Sequence, residues 1–552
     1  MTQGWDNSTA ARRLRELIAC FGAVFAFFLG MFIRYQLLGP LEENAFAESA
    51  FLQRQKGVPV SLARGYILDR HGTPLHCPYW DSALALFPEK VEDPESLRSW
   101  LNGLFGGKLD NLELAGAREN GPFKVARELS PELIDEILKN PKPGLLVIPE
   151  EVRYGPGSLA RHVVGHVRPN AYLNPGDNVG EGGLEKQYQG VLAGTVPAWA
   201  GTLVGGDGSE LPGTGLRIAA SPKPPADLYT TLDVDIQHAV EKVLDERRIR
   251  KGAVVVLDAR TGEILAMASR PQFDQNHPEK SFNTQDAPFV NRAISAFVPG
   301  SVWKPVVLAL ALEKGYVGER ETFLCQGKIK VGPTEIKCGH QPGGHGILSV
   351  EEALAQSCNS AFIQIALRVN PHELVDYARK CGFGEKTRIP LPEEMRGVLP
   401  DPSMMLLGDV ANYAIGQGYL TVTPLQVASF FRAIVSGGKW IRPTLILGEK
   451  TEEREIFSEK TAVILENALL AATRHGTGQE AWVAGYGSAG KTGTAETGLP
   501  SGKTHAWFCG WAPILVPRYV VSVFVEEGGD GPGVAAPIFR EILEEILSPD
   551  RF

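Results

Sequence analysis

The sequence predicts an α/β protein with a mainly antiparallel sheet flanked by helices, standing behind an irregular α+β region and one N-terminal transmembrane helix. Three observations carry this expectation. Two strand pairs with hairpin-short connections stand at the two ends of the C-terminal half, with helical stretches between them, and connections that short join antiparallel strands. Gly and Pro number 61 and 39 of 552 residues, above their usual shares of roughly 7% and 5%, so the chain is rich in turns. Residues 17–33 (LIACFGAVFAFFLGMFI) contain no charge.

The uncharged run lies at the short end of what spans a hydrocarbon core about 30 Å thick, and Tyr35, Leu37 and Leu38 extend it. Arg12, Arg13 and Arg15 precede it, while Glu42, Glu43 and Glu48 follow Arg34. That basic excess keeps the N-terminal side in the cytoplasm. Ala45-Phe46-Ala47 has the look of a cleavage site but stands too far beyond the apolar run. The expected plan is a cytoplasmic tail at 1–16 and an uncleaved single-pass anchor at 17–38. Everything after about residue 39 then lies outside the cytoplasmic membrane.

Residues 40–225 are broken repeatedly by Gly106-Gly107, Gly155-Pro156-Gly157 and the glycine-rich stretch 201–214. Pro222, Pro224 and Pro225 then form a stiff hinge, because proline fixes φ and removes a donor. From 226 to 552 the pattern changes. Residues 233–247 read as a helix with Ile236, Val240 and Val243 on one face. Residues 253–257 and 263–268 read as strands around the turn 258–262, and 506–512 and 519–526 as two more, followed by a helix at 536–547.

Composition excludes some functions. A net charge of −9 excludes a nucleic-acid partner, since phosphate binding needs a basic face. Seven cysteines are too few and too uneven for a disulfide scaffold.

Three short motifs carry candidate chemistry. Ser301-Val302-Trp303-Lys304 opens an apolar helical stretch, 306–312. That spacing brings hydroxyl and amine onto one face, and a helix N-terminus disfavours an ammonium, which suits Lys304 as a base. Two other S-x-x-K matches, Ser436…Lys439 and Ser488…Lys491, lack the helix-start context. Ser357-Cys358-Asn359 follows the helical stretch 350–356 and offers a second hydroxyl and an amide, with Ser281-Phe282-Asn283 as its decoy. Lys491-Thr492-Gly493-Thr494 leads into the last strands. Its cation and hydroxyls can bind a carboxylate, and Gly493 lets a substrate backbone approach closely. Each motif alone is more often a turn or a loop.

In this order, S-x-x-K, S-x-N and K-T-G resemble the set of the penicillin-recognising serine transpeptidases. Arg64-Gly65-Tyr66-Ile67-Leu68-Asp69-Arg70-His71-Gly72 is similar to the element that opens class B penicillin-binding proteins. Gly183-Leu184-Glu185 with Tyr188 is similar to a later element of the same non-catalytic pedestal domain. Residues 414–418 (AIGQG), followed by Thr423-Pro424-Leu425-Gln426, resemble a stretch shared by elongation, division and sporulation members. No acidic glycosyltransferase signature stands in the first domain, which disfavours a bifunctional enzyme.

The resemblance implies a pedestal (dimerisation-type) domain at 40–225 and a transpeptidase domain at 226–552. It implies that Ser301 attacks D-alanyl-D-alanine stem peptides of peptidoglycan after Lys304 takes its proton, and that Ser357 relays a proton to the leaving D-alanine. Asn359 would hold the acyl-side amide, and Lys491, Thr492 and Thr494 the terminal carboxylate. Backbone N–H groups of Ser301 and Thr494 would face the oxyanion. β-Lactams would acylate the same serine, no metal or organic cofactor would be needed, and the partner would be a membrane-embedded glycan polymerase of the shape, elongation, division and sporulation group.

Two rival readings carry their own residues. A β-lactamase would need a deacylating glutamate, and Glu393 and Glu394 lie between the second and third motifs, in what reads as a solvated turn. A β-lactam sensor or scaffold would need a signalling module that 16 cytoplasmic residues do not supply. Cys325, Cys338, His340 and His345 are four ligand types close in sequence, but their spacing is not a standard zinc finger, and His345-Gly346 resembles a stretch before the second motif, so zinc is set aside. Cys358 has three readings: a small buried apolar residue, a bystander to a Cys325–Cys338 staple, or a redox partner of Cys338.

Overall fold

The computed structural model describes residues 7–36, 55–107, 121–169, 178–194, 197–205, 209–211, 213, 215, 217–220, 225–339, 343–498 and 502–548. Most of the proline hinge, the acidic flank of the apolar run and His340 lie outside these residues. The apolar run belongs to a helix, Asn7–Gln36, whose described side chains, 16–31, are all exposed. Among the described residues no helix is long and apolar enough to cross a membrane, so the expected span is not shown.

The chain forms two compact units. The first comprises Met1–Val60, Ser82–Glu150 and Ala198–Lys223. It holds two three-stranded sheets and the helices Pro94–Leu104 and Pro131–Lys139. Asp93 and Ser130 cap these helices, each followed by proline at the helix start. Leu84, Leu86, Leu97, Leu101 and Ile137 close the core.

The second unit holds Ser61–Asp81, Glu151–Pro197 and Pro224–Phe552. Two segments that composition groups with residues 40–225 therefore pack with the C-terminal region, and their charged motif residues show why. Glu185 is fully buried and paired with Arg64 and Arg153, Arg153 Nε donating to it at 2.7 Å and Tyr154 Oη at 3.0 Å. Arg153 Nη2 also donates to the carbonyl of Gly65 at 2.7 Å. Asp69 accepts from the backbone N–H of His71 and Thr73, both at 2.8 Å, and of Val234 at 3.2 Å. Buried charges need such complete pairing.

The main elements of this unit are α1 (Val234–Glu246), β1 (Gly252–Asp258), β2 (Ile264–Arg270), α2 (Lys304–Glu313), α3 (Asn359–Ala366), α4 (Glu459–Arg474), β3 (Ala489–Glu496), β4 (Thr504–Ala512), β5 (Tyr519–Val525) and α5 (Ala536–Leu547). The five strands form one sheet in the order β2-β1-β5-β4-β3, and every pairing is antiparallel, as the short connections predict. Both faces are covered. Val254 and Val256 join α1 and α5 residues such as Val240, Val243, Phe539 and Ile542 in one cluster. Val255 and Leu257 join α2 and α3 residues such as Leu308 and Phe362 in another. A strand buried on both faces reads as an unbroken apolar run, hence AVVVL at 253–257.

Candidate functional site

Ser301 lies in a single 3-10 turn, Gly300–Trp303, that runs directly into α2. Gly300 has φ +59°, and a Cβ there would stand 2.6 Å from the carbonyl oxygen of Thr494 on β3. Glycine is thus required for the nucleophile turn to lie against the third motif. The turn is pinned on its other side too. Gly300 N donates to Gly416 O at 2.9 Å, and Trp507 Nε1, from β4, donates to Val298 O at 3.0 Å. The stretch after AIGQG serves as a helix start: Thr423 and Gln426 form a reciprocal capping box on the helix Pro424–Val435.

Lys304 is the first residue of α2 and is fully buried. Its Nζ donates to Ser357 O at 2.6 Å, Asn359 Oδ1 at 2.8 Å and Ser357 Oγ at 3.2 Å. All three ammonium donors therefore go to the second motif. Burial pulls the Lys304 pKa down to about 8, with the nearby Cys338 and Cys358 sulfurs opposing that shift.

The second motif is not a plain loop. Ser357 takes φ +55°, an uncommon conformation for a residue with a Cβ, of a kind concentrated at functional sites. Cys358 then caps α3, accepting from Ala361 N, so Asn359 begins a helix. Asn359 Nδ2 donates to Lys337 O at 3.3 Å. That links the motif to the excursion formed by strands Lys328–Val331 and Thr334–Lys337.

The third motif lies on β3, paired with β4 in register Lys491↔Cys509 and Gly493↔Trp507. A Cβ on Gly493 would meet Pro299 O at 2.9 Å. The protein's own nucleophile loop thus requires the glycine, a reason the sequence alone does not give. Lys491 is fully buried, with Nζ donating to Thr492 O at 3.1 Å, Thr492 Oγ1 at 3.3 Å and Thr477 Oγ1 at 3.5 Å. Among the described residues it has no carboxylate partner. Burial, reinforced by the charge of Lys304, holds its pKa well below the usual lysine value. Thr494 is exposed, its Oγ1 accepting from Gly531 N at 3.2 Å. Thr477, bonded to Thr492 Oγ1 at 2.8 Å, joins the site without any signal in the sequence.

The decoys are structural. Ser436 Oγ donates to Arg432 O, one turn back in its own helix, and Ser488 Oγ to Ala481 O in the interior. Ser281 ends a 3-10 turn. The turn holding Glu393 and Glu394 is not simply solvated. Glu394 is 4% exposed and spends its carboxylate on Thr387 N, Thr387 Oγ1 and Arg388 N.

One further group of residues is brought together beside the second motif. Cys325, Cys338, His345 and Cys358 place their ligand atoms within 4.8 Å of one another. This is a three-sulfur, one-nitrogen donor set of the kind that forms a closed structural zinc site. Three of the four stand in the set that the sequence offered for zinc; Cys358, which belongs to a catalytic-type motif, takes the place of His340. The Cys338 and Cys358 sulfurs lie 3.5 Å apart, either able to donate to the other, and this contact lowers the pKa of the first and raises that of the second.

Comparison with known proteins agrees with this geometry. The family described as "Penicillin binding protein transpeptidase domain" matches residues 252–544, and "Penicillin-binding Protein dimerisation domain" matches 59–198. Stage V sporulation protein D of Bacillus subtilis is 30% identical over 89% of this chain and 79% of its own length. Peptidoglycan D,D-transpeptidase MrdA of Acinetobacter baumannii is 28% identical over 95% and 86%. A solved structure described as "Structural coordination of polymerization and crosslinking by a peptidoglycan synthase complex" superposes with a TM-score of 0.73 at 28% identity, covering 97% of this chain and 98% of that one.

Proposed function

The chain belongs to the penicillin-binding protein transpeptidase family, and on that premise we propose how its residues divide the work. It is a serine-type D,D-transpeptidase that cross-links peptidoglycan by acyl transfer from stem peptides. Ser301 is the nucleophile and Lys304 its base. The observation that carries this reading is the buried Lys304 amine, held by Ser357 and Asn359 at the start of the helix that Ser301 leads into.

A neutral Lys304 keeps two N–H donors and gains a lone pair. It can hold Ser357 O and Asn359 Oδ1 while accepting a proton from Ser301. Ser357 Oγ, at 3.2 Å, then passes that proton to the departing D-alanine. Lys491, with Thr492 and Thr494, supplies the positive end for the stem carboxylate, and Asn359 the amide for the acyl side. The N–H groups of Ser301 and Thr494 face the developing oxyanion. A neighbouring stem amine then resolves the acyl-enzyme, and β-lactams stop at that stage. Cys325, Cys338, His345 and Cys358 would hold a zinc ion. Held by four protein ligands, it would fix the second motif rather than activate substrate.

Mass spectrometry of the penicillin adduct tests the assignment. Label is expected on Ser301 and is lost in Ser301→Ala and Lys304→Ala; label surviving Ser301→Ala overturns it.

Residues 17–38 anchor the chain in the cytoplasmic membrane with the catalytic region outside, a reading supported by the uncharged run and the arginines before it. Release of the full chain from membranes by alkaline carbonate would refute the anchor. The partner is a membrane-embedded glycan polymerase, supported by the synthase complex that this chain resembles in fold. Failure of a polymerase of that class to co-purify with the detergent-solubilised full chain would refute the pairing.

A further inference from the structure

The nucleophile turn has β3 on one side and the loop at Gly416 on the other. A Cβ on Gly416 would stand 2.0 Å from Gly300 O and 2.9 Å from Trp303 Cβ, so this loop lies directly against the turn that holds Ser301. Beside it opens a groove of about 260 Å³, lined by residues of 400–405, 409–413 and 417–420. The helix Leu407–Ala414, which supplies part of the lining, packs on α3, the helix that Asn359 begins. Tyr413 ties the groove to the S-x-x-K turn as well, its ring meeting that of Trp303 edge-on at 5.3 Å.

The lining has the make-up of a ligand site. Met404 and Tyr419 are 75% and 82% exposed, and Leu406 and Leu407 close by are 75% and 62% exposed. Large apolar side chains gathered in this way mark a binding surface, where single exposed ones do not. Polar groups stand among them. Asp409 accepts from Leu406 N through Oδ2 at 3.0 Å. Its Oδ1, and the side-chain amides of Asn412 and Gln417, have no hydrogen-bond partner among the described residues. Asp401 also lines the groove, and no Lys, Arg or His does among the described residues. An apolar cleft with a few convergent polar groups is the usual form of a small-molecule site. The volume lies below the roughly 300–1,000 Å³ that encloses a drug-sized ligand, so the groove suits one arm of a larger substrate. Its charge calls for a cation.

Cross-linking brings two stems to one ester. The donor stem lies along β3 with its carboxylate toward Lys491, so the second stem has to reach Ser301 from the other side of the turn, where the groove opens. We propose that the groove is the acceptor subsite. It takes the aliphatic, amine-bearing arm of the second stem against Met404 and Tyr419. Asn412 and Gln417 hold its peptide groups, and Asp409 and Asp401 draw in the ammonium. This assignment rests on the acyl-transfer reading above. The attack balances as follows. The ammonium sheds one proton to water as it moves to the ester. The neutral nitrogen bonds to the carbonyl carbon, the bond from that carbon to Ser301 Oγ breaks, and the surplus proton on nitrogen returns to Ser301 Oγ through Lys304. A groove that serves only this second half of the reaction leaves acylation alone.

The test uses the full chain in detergent. An N-acyl-D-alanyl thioester supplies the acyl group, stem tetrapeptides containing lysine or diaminopimelate supply the amine, and mass spectrometry counts aminolysed and hydrolysed products. Tyr419→Ala and Asp409→Asn, the latter keeping an oxygen for Leu406 N, are expected to take up penicillin within about twofold of the native rate. Their ratio of aminolysis to hydrolysis is expected to fall about fivefold or more with the better stem. Tyr419→Phe, which keeps the ring, is expected to keep the ratio. An unchanged ratio in Tyr419→Ala and Asp409→Asn overturns the proposal, and so does a matching loss of penicillin uptake, which would place the groove in the donor half. A changed oligomeric state in Tyr419→Ala with the ratio intact gives the groove to a second copy of the chain and overturns it too. A diazirine-labelled stem reads occupancy without chemistry. It is expected to cross-link within residues 400–420 of native and Ser301→Ala protein, and far less once its amine is acetylated. Cross-links elsewhere, or an equal yield from the acetylated stem, overturn the proposal. Native protein that neither takes up penicillin nor consumes the thioester overturns the transpeptidase reading, and the cross-links then still decide whether the groove holds an amine-bearing peptide.

Discussion

At the scale of single residues, two buried lysines decide what the site can do. Lys304 has its pKa lowered by burial to about 8, and only its neutral form can accept the Ser301 proton. Acylation by penicillin should therefore rise about tenfold per pH unit below 8 and level off above it. A flat rate between pH 6 and 9 in stopped-flow measurements would remove Lys304 from the role of base. Lys491 is also held well below the usual lysine value, by burial and then by Lys304, and no carboxylate among the described residues compensates it. An incoming substrate carboxylate would do so. A charge-assisted contact is worth roughly 1.5–3 kcal/mol, so Lys491→Ala should slow acylation by carboxylate-bearing β-lactams by about one to two orders of magnitude. An unchanged rate, with the fold verified by circular dichroism, would leave Lys491 a structural role only.

At the scale of elements, what the sequence disclosed follows from what local periodicity can encode. The helix 233–247 is present as α1 with Asp233 as its N-cap, and the strand pairs and the last helix fall within two residues of expectation. Alternation and capping are local signals, so they survive without a structure. The zinc-type cluster disclosed itself only in part: Cys325, Cys338 and His345 stand out as ligand types close in sequence, while Cys358 reads first as part of Ser357-Cys358-Asn359. Neither the reason for Gly493 nor the place of Thr477 is local, since each depends on a loop or strand distant in sequence. The motif around Arg64 and the one around Glu185 were visible as strings, but their joining into one buried knot was not. Burial alone would raise the Glu185 carboxyl; Arg153 and Arg64 outweigh it and hold the pKa below its ordinary value. Glu185→Gln leaves two buried guanidinium groups without their anion, and breaking such a pair costs about 3–5 kcal/mol. Thermal or denaturant unfolding of the variant should show a loss of that size, and a loss below about 1 kcal/mol would show that the knot is dispensable. Because the depressed carboxyl stabilises the fold only while ionised, the native chain should lose this contribution as pH falls through the lowered pKa, and the glutamine variant should lack that part of the acid sensitivity.

At the scale of the whole molecule, the question is whether the acyl-enzyme is made to be hydrolysed or to wait. A hydrolase needs a base that holds water against the ester. Glu394, one of the two carboxylates that sequence order offers for that task, is occupied by Thr387 and Arg388 in its own loop. Lys304, the other basic group at the centre, is tied to Ser357 and Asn359 and must return a proton to the leaving group before it can serve again. The chain also carries a second compact unit and a 30-residue N-terminal helix, neither of which a freely turning hydrolase requires. An acyl-enzyme without a positioned water should outlast its formation by a wide margin, waiting for an amine from a neighbouring stem. We therefore expect the penicillin adduct on Ser301 to persist for tens of minutes at neutral pH, read as intact-mass signal after removal of free drug. Hydroxylamine or a D-amino acid should release it faster than buffer does. If instead the adduct disappears within seconds in buffer, and Glu393→Gln or Glu394→Gln preserves it, the chain turns over β-lactams with a glutamate-held water, and cross-linking is no longer its chemistry.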